Sequence, residues 1–327
     1  GYAVISTFLK GTFDKLGINF YVQQFEEYKS AGETFDRKEY SEPAKRELRA
    51  IIDQRYTTFI NDVAQSRGLD AGVVRNALNR GVYTTDSLIA LGFIDGVRSR
   101  EATREMIRQH INATSKKGDT LDNVRLVSIA NYINSSSFRD QKEEVEKDKE
   151  IAIVYGSGAI VSGKNQPAFF GGENQIASES FIANLRKARD NSKVKAIIIR
   201  IDSPGGSVIA SDAIWEEIRA ARKVKPVYAS MSDVAASGGY YMAMACDTII
   251  AHPSTITGSI GVILMLPNFT GAMEKIGMTV DTVATSQSAT FLNPMLPLND
   301  TERNKLNVLS DQIYKSFVSR VAESRGM

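Results

Sequence analysis

Between residues 151 and 251, short apolar runs alternate with longer amphipathic ones. Ile151-Ala-Ile-Val-Tyr155 and Lys195-Ala-Ile-Ile-Ile-Arg-Ile201 are rich in β-branched side chains and end in turn residues, and residues 227–231 and 248–251 repeat the pattern more briefly. Continuous apolar runs of this length suit strands buried on both faces, as parallel strands are. Parallel strands need crossover connections, and residues 178–190 and 211–223 read as the helices that supply them. The alternation predicts an α/β fold.

The chain also repeats itself. At an offset of 258, residues 41–69 lie over 299–327 without a gap. Asp53-Gln54 meets Asp311-Gln312, Tyr56 meets Tyr314, Phe59 meets Phe317, and Ser66-Arg67-Gly68 meets Ser324-Arg325-Gly326. At an offset of 260, Asp14-Lys15-Leu16-Gly17 meets Glu274-Lys275-Ile276-Gly277, and Gly1 meets Gly261. This many matches in register are expected of a duplication. Residues 151–261 have no partner before Gly1, and nothing after Met327 matches 70–100. The expectation is therefore a piece of something longer. It comprises the C-terminal part of a first repeat (1–125), a charged linker (126–150) and a second repeat truncated at its C-terminus (151–327). Within the first repeat, Leu48, Ile51, Ile52, Phe59, Ile60 and Val63 follow helical spacing over 42–66, with Ser41 as cap and Pro43 in the first turn.

Composition narrows the chemistry. Lys and Arg number 40 against 38 Asp and Glu, so the net charge of +2 gives no reason to expect nucleic acid as a partner. Cys246 is the single cysteine, which excludes an intrachain disulfide and a cysteine-built zinc site. With only His110 and His252 present, a multi-histidine metal site is not expected, and no cofactor motif stands out. No run approaches the ~18 apolar residues of a membrane span.

Three segments could carry chemistry. Asp202-Ser-Pro-Gly-Gly-Ser207 follows a strand and precedes a helix, where paired glycines let backbone N–H groups face a ligand. It lacks the Lys-Ser/Thr ending of a phosphate-binding loop. Ala235-Ala236-Ser237-Gly238-Gly239-Tyr240 sets a serine among small residues at a helix start. His252-Pro-Ser-Thr-Ile-Thr-Gly-Ser-Ile-Gly261 is dense in turns and hydroxyls. Each has a bland reading: a plain turn, a capping serine, a structural turn. A serine nucleophile would need a base. His252 has no acid at a recognisable spacing and reads as a turn residue. A lysine serves only if burial lowers its pKa from about 10.4. Lys29 is a candidate because its repeat counterparts, Gln287 or Ala289, cannot act as a base; by itself it reads as a surface lysine.

Taken together, Ser203-Pro-Gly-Gly-Ser207, Ala236-Ser-Gly-Gly-Tyr240 and Pro253-Ser-Thr-Ile-Thr-Gly-Ser-Ile-Gly261 resemble the signal peptide peptidase A (protease IV) family, and the resemblance covers nearly the whole chain. Tyr28-Lys29-Ser30-Ala31, followed by Phe35 and Ser41, is similar to the lysine segment of the family's long, duplicated form. Thr34 departs from it, since that form often carries Pro there. The position of His252 is commonly Asn in the family. The resemblance implies a crotonase/ClpP-like spiral of ββα units. It implies a Ser–Lys dyad of Ser237 and Lys29, with Ser259 orienting the lysine and backbone around Gly205, Gly206 and Gly238 forming an oxyanion hole. It further implies cleaved signal peptides and other unfolded peptides as substrates, a bowl-shaped homo-tetramer, and a membrane anchor outside this sequence. The catalytic domain would then lie on the extracytoplasmic side of a bacterial inner membrane, or in a thylakoid. Two other classes stay open: a crotonase-like acyl-CoA hydratase or isomerase, which would turn over thioesters in a Ser237→Ala protein, and a non-catalytic scaffold, which would cleave nothing.

Overall fold

A computed structural model describes residues 2–81, 84–114, 122, 127–133, 149–165, 174–286 and 289–327. Most of the expected linker 126–150, and Gln287, lie outside the described residues. Contacts divide the chain into two compact units, one of residues 56–147 and one of residues 2–55 with 148–327.

In chain order, the first elements are α1 (Lys10–Leu16), β1 (Asn19–Gln24), a 3-10 turn (Ser30–Gly32), α2 (Glu33–Asp36) and α3 (Glu42–Arg67). Ser41 Oγ accepts from the Ala44 amide at 3.3 Å, so the expected cap and the proline of the first turn both occupy their places. The smaller unit continues α3 into α4 (Ala71–Arg80), α5 (Thr85–Ala90), α6 (Arg100–Thr114) and α7 (Ile129–Ile133). Its centre is Ile60, Ala64 and Val74, with Val63, Leu69 and Phe93 packed around them.

The larger unit holds the α/β alternation. It runs β2 (Glu150–Ser157), β3 (Ala159–Val161), β4 (Gln175–Ala177), α8 (Ser178–Asp190), β5 (Val194–Ser203), α9 (Val208–Arg222), β6 (Val227–Ala236), α10 (Gly238–Met244), β7 (Thr248–Ile250) and β8 (Ile256–Gly258). It ends with β9 (Ile263–Asn268), α11 (Thr270–Lys275) and α12 (Asp300–Arg325). The main sheet has the order β2-β5-β6-β7, with β8 also on β6, and all of these pairs are parallel. β3 and β4 form a parallel pair of their own, while β1 and β9 pair antiparallel.

The fully buried side chains explain the alternation. Ile197, Ile199 and Ile201 of β5 share one buried cluster with Ile214, Trp215 and Ile218 of α9 and Leu185 of α8, all essentially inaccessible to water. Each such side chain contributes about 1.5–3 kcal/mol by leaving water. The helix expected at 211–223 starts earlier, at Val208, because Ser207 caps it by accepting from the Ala210 amide. β6 outruns the expected 227–231 because its second half, Val234–Ala236, pairs with β8. That extension delivers the chain to Ser237.

The segments related by the sequence offsets have like structures. α3 and α12 are both 26 residues long, and each is followed by a left-handed glycine, Gly68 or Gly326. α1 and α11 end on Gly17 and Gly277, with φ of 76° and 75°. Among the described residues no helix is long and apolar enough to cross a membrane, and no His/Cys/Asp/Glu cluster could hold a metal ion.

Candidate active site

Ser237 joins β6 to α10 with φ of 52°, an uncommon conformation for a residue with a side chain. Its backbone is pinned on both sides. The amide donates to the Gly258 carbonyl (2.9 Å), and its own carbonyl accepts from the Tyr241 amide (2.8 Å). Although Ser237 stands at the cap position, its side chain makes no cap hydrogen bond. The capping reading of this serine therefore fails, and the residue lines a cavity. Strain at such positions is of order 1–3 kcal/mol and persists only where the surroundings fix it.

The Pro-Gly-Gly turn lies directly against this serine. A side chain at Gly205 (φ 100°) would put its Cβ 2.6 Å from the Gly238 nitrogen and 2.8 Å from Ser237 Cβ. No residue but glycine permits that approach. Ile160 of β3 clamps the turn by donating its amide to the Gly205 carbonyl and accepting from the Ser207 amide, both at 2.8 Å. The Gly205 amide is itself committed to Ser203 Oγ (3.1 Å), so this glycine supplies space and not a donor.

Lys29 arrives from the other end of the chain. The antiparallel β1–β9 ladder sets Gln24 opposite Ile263, and the Phe25 amide extends it by donating to the Val262 carbonyl (3.0 Å). The chain then turns so that the Lys29 stem lies over Gly261, where an added Cβ would sit 3.3 Å from Lys29 Cδ and 2.8 Å from the Phe25 carbonyl oxygen. Lys29 Nζ donates to the Ser259 carbonyl (2.6 Å) and to Ser259 Oγ (2.9 Å). Ser259, like Ser237, has a positive φ, 53°. Burial lowers the Lys29 pKa to about 8, and the Glu47 carboxylate on α3 pulls it partly back up. Burial in turn raises the Glu47 pKa, opposed by Lys29.

Lys29, Glu47, Ser237 and Ser259 line one cavity of about 770 Å³. α3 holds the far wall in place, since Gln54 Nε2 donates to the Pro253 carbonyl (3.1 Å) and an Arg55 guanidinium nitrogen to that of Ser254 (2.9 Å). A second cavity, about 340 Å³, opens on the other side of Ser237 between Val208, Tyr241, Val262, Ile313 and Phe317. The structure thus brings Lys29, Ser237, Ser259 and Gly206 to one cavity, with Gly205 behind the serine and Gly238 lining the second cavity. His252 is exposed, and its Nδ1 accepts from the Ser254 amide (3.2 Å), a turn contact. The sequence reading missed Glu47 and Gly261 as neighbours of Lys29. Gly261 was visible in the hydroxyl-rich motif, but Glu47 had no signal beyond its place on an amphipathic helix.

An amine of lowered pKa in one cavity with a serine of positive φ, with glycines packed against that serine, is an arrangement suited to nucleophilic catalysis. Comparison with known proteins agrees with that chemistry. The family model described as Clp protease matches residues 166–257, the strand–helix alternation, and the fold is of the ClpP/crotonase-like α/β class. Among curated relatives, Serine protease SPPA, chloroplastic, of Arabidopsis thaliana is 36% identical over 330 residues, covering 100% of this chain and 47% of the relative. Protease 4 of Haemophilus influenzae is 29% identical, covering 99% and 52%. A putative signal peptide peptidase SppA of Enterococcus faecium is 31% identical over 197 residues, covering 60% and 57%. The chain spans about half the length of the curated relatives it matches. The model described as Peptidase family S49 matches residues 1–114 and 219–327, which contain the lysine segment, the serine segment and the ladder that joins them, and the chain belongs to that family.

Proposed function

We propose that this chain forms the active site of a serine peptidase with a Ser237–Lys29 dyad. The observation that carries the reading is the Lys29 ammonium group, held 2.9 Å from Ser259 Oγ in the cavity that Ser237 lines. Ser237 Oγ attacks the scissile carbonyl carbon while neutral Lys29 Nζ takes its proton. The oxyanion that forms is held by the amides of Gly206 and Gly238, each such donor being worth about 2.7–4 kcal/mol. As the C–N bond breaks, Lys29 passes its proton to the departing amine and an ester on Ser237 remains. Water then attacks the ester, Lys29 takes the water's proton, and Ser237 regains it as the carboxylic acid leaves. Ser259 aims the amine through its hydroxyl and carbonyl.

Extended peptides fit the site best, because strand addition beside β8 and the Pro-Gly-Gly turn would align a backbone with Ser237. Cleaved signal peptides are the substrates we assign, following the family resemblance and the names of the relatives. The same resemblance supports a membrane-associated enzyme, acting on the extracytoplasmic side, that assembles as a homo-tetramer. The paired 26-residue helices and the matched left-handed glycines support a tandem duplication in which lysine and serine come from different repeats.

A fluorophosphonate probe tests the reading. Mass analysis is expected to find one adduct, on Ser237, and none in Ser237→Ala. Labelling elsewhere, or an unlabelled Ser237 across pH 6–10, would overturn it.

A further inference from the structure

Glu33 carries a buried carboxyl group that the peptidase chemistry leaves unused; the residue is 2% exposed. Its Oε2 accepts from the Ser41 amide at 2.8 Å, while its Oε1 has no partner among the described residues. Burying an acid on a single hydrogen bond costs stability. The bond joins two segments that both serve the site.

One end is the loop of the lysine. Glu33 follows Lys29 by four residues, and the 3-10 turn between them has no slack: a Cβ on its last residue, Gly32, would lie 2.5 Å from Val22 Cγ1 of β1. The Glu33 amide closes that turn onto the Ser30 carbonyl. The other end is the first turn of α3. This helix brings Glu47 to the cavity and, through Gln54 and Arg55, holds Pro253 and Ser254 in the segment that leads to Ser259. Lys29, Glu33, α3 and Ser259 thus form a closed circuit, and the hydrogen bonds from Lys29 to Ser259 are its last link.

The helix related to α3 by the sequence offset is capped without such a bridge. At the offset of 258, Ser41 and Ala44 correspond to Asn299 and Glu302 of α12. There the cap is self-contained. Asn299 Oδ1 accepts from the Glu302 amide (2.9 Å), and Glu302 Oε2 accepts from the Asn299 amide (3.0 Å), a reciprocal capping box. α3 makes the first of these bonds within itself, from the Ala44 amide to Ser41 Oγ, but alanine has no acceptor for the second. Glu33 makes the second from outside the helix. At the offset of 260, Lys29 and Glu33 correspond to Ala289 and Asn293. Where the loop bears the base, the capping acid stands on the loop; where it bears none, the acid stands on the helix.

We infer that Glu33 is a positioning residue for the dyad: it caps α3 from the lysine loop and so fixes Lys29 against Ser259 and Glu47. It lines neither cavity beside Ser237, so it acts through the lysine and not on the substrate. This rests on the peptidase reading.

Fluorophosphonate labelling of Ser237 in the whole chain tests it, with the limiting rate and the half-saturating probe concentration read separately. Glu33→Ala is expected to lower the limiting rate about 10–100-fold, as a misplaced catalytic group does, and to lower the urea midpoint. Adding Ala44→Glu supplies the cap that α12 has. The midpoint should then recover while the limiting rate stays low, with the half-saturating concentration within threefold of wild type. Glu33→Gln keeps an acceptor for the Ser41 amide and should label within threefold of the wild-type rate. A wild-type rate in Glu33→Ala, recovery of rate together with midpoint in the double variant, or a Glu33→Gln protein as slow as Glu33→Ala would each overturn the inference. Lys29→Ala, labelled in parallel, keeps the two readings apart. Wild-type labelling there would sink the dyad itself, whereas a slow Lys29→Ala beside a fast Glu33→Ala would sink the tether alone.

Discussion

Lys29 Nζ donates to Ser259 Oγ across 2.9 Å, although 230 residues separate the two in the chain. The β1–β9 ladder spans that distance in sequence, and α3 pins the loop that carries Ser259 through Gln54 and Arg55. The lysine is thereby held by rigid elements on both sides, with its stem laid over Gly261.

Replacing Lys29 by Ala should lower peptide turnover about 10²–10⁴-fold, the usual contribution of a general base. Circular dichroism and the sedimentation pattern should match the wild type. Turnover within threefold of wild type would remove the lysine from the mechanism.

The pH dependence follows from burial. With its pKa near 8, Lys29 is mostly protonated at pH 7, and the neutral base gains population as pH rises. Turnover should climb about tenfold per unit below pH 8 and level off above it. Glu47 raises the proton affinity of the amine, so Glu47→Gln should move this limb to lower pH, and Glu47→Asp should move it less. A single-turnover profile with the same midpoint in Glu47→Gln would show that the carboxylate does not act on the lysine.

The same shift has a cost in stability. A lysine whose folded pKa lies below its unfolded value binds fewer protons when folded. Stability therefore rises with pH between about 8 and 10.5, and the full penalty applies below 8. Lys29→Met removes the penalty and should raise stability at pH 7 by about 1–2 kcal/mol, after allowance for the part of the side chain that stays in water. Urea unfolding at pH 7 and pH 10 checks it: the gain should shrink at the higher pH, and a gain independent of pH would point to packing alone.

The α/β alternation was legible in the sequence because β5 reads as a continuous apolar run. Burial nevertheless alternates along it, with Ile197, Ile199 and Ile201 buried, and β2 leaves Ile151 and Ile153 exposed where burial on both faces was expected. Ser237 was legible as a small-residue turn, but its freedom from capping depends on a φ that composition does not encode. β1 (Asn-Phe-Tyr-Val-Gln-Gln) and β9 (Ile-Leu-Met-Leu-Pro-Asn) carry no regular alternation, and each is a strand only because the other lies beside it. The proximity of Glu47 and Gly261 to Lys29 comes from that ladder and from α3, so spacing along the chain could not show it. The offsets of 258 and 260 were plain in the sequence. Which of the related segments find partners within one chain was not, because that depends on three-dimensional closure.

Gly261 offers a test of how closely the amine must be placed. A methyl group there would stand 2.8 Å from the Phe25 carbonyl oxygen, a backbone atom, and 3.3–3.4 Å from the Lys29 stem. The closest contact is with backbone, so the segments carrying Phe25 and Gly261 must move apart, and Gly261→Ala should fold with a loss of about 1–3 kcal/mol from overpacking. Lys29 would then be lifted from Ser259, and a misplacement of this size in a catalytic group can cost about 10²-fold. Gly261 also lines the cavities beside Ser237, so KM can move as well, but the expected signature is a fall in kcat larger than the change in KM. Labelling of Ser237 by fluorophosphonate should slow in parallel and recover partly at pH 10, where more of the displaced lysine is neutral. A Gly261→Ala enzyme with wild-type kcat would mean that the stem can leave Gly261 without disturbing the amine.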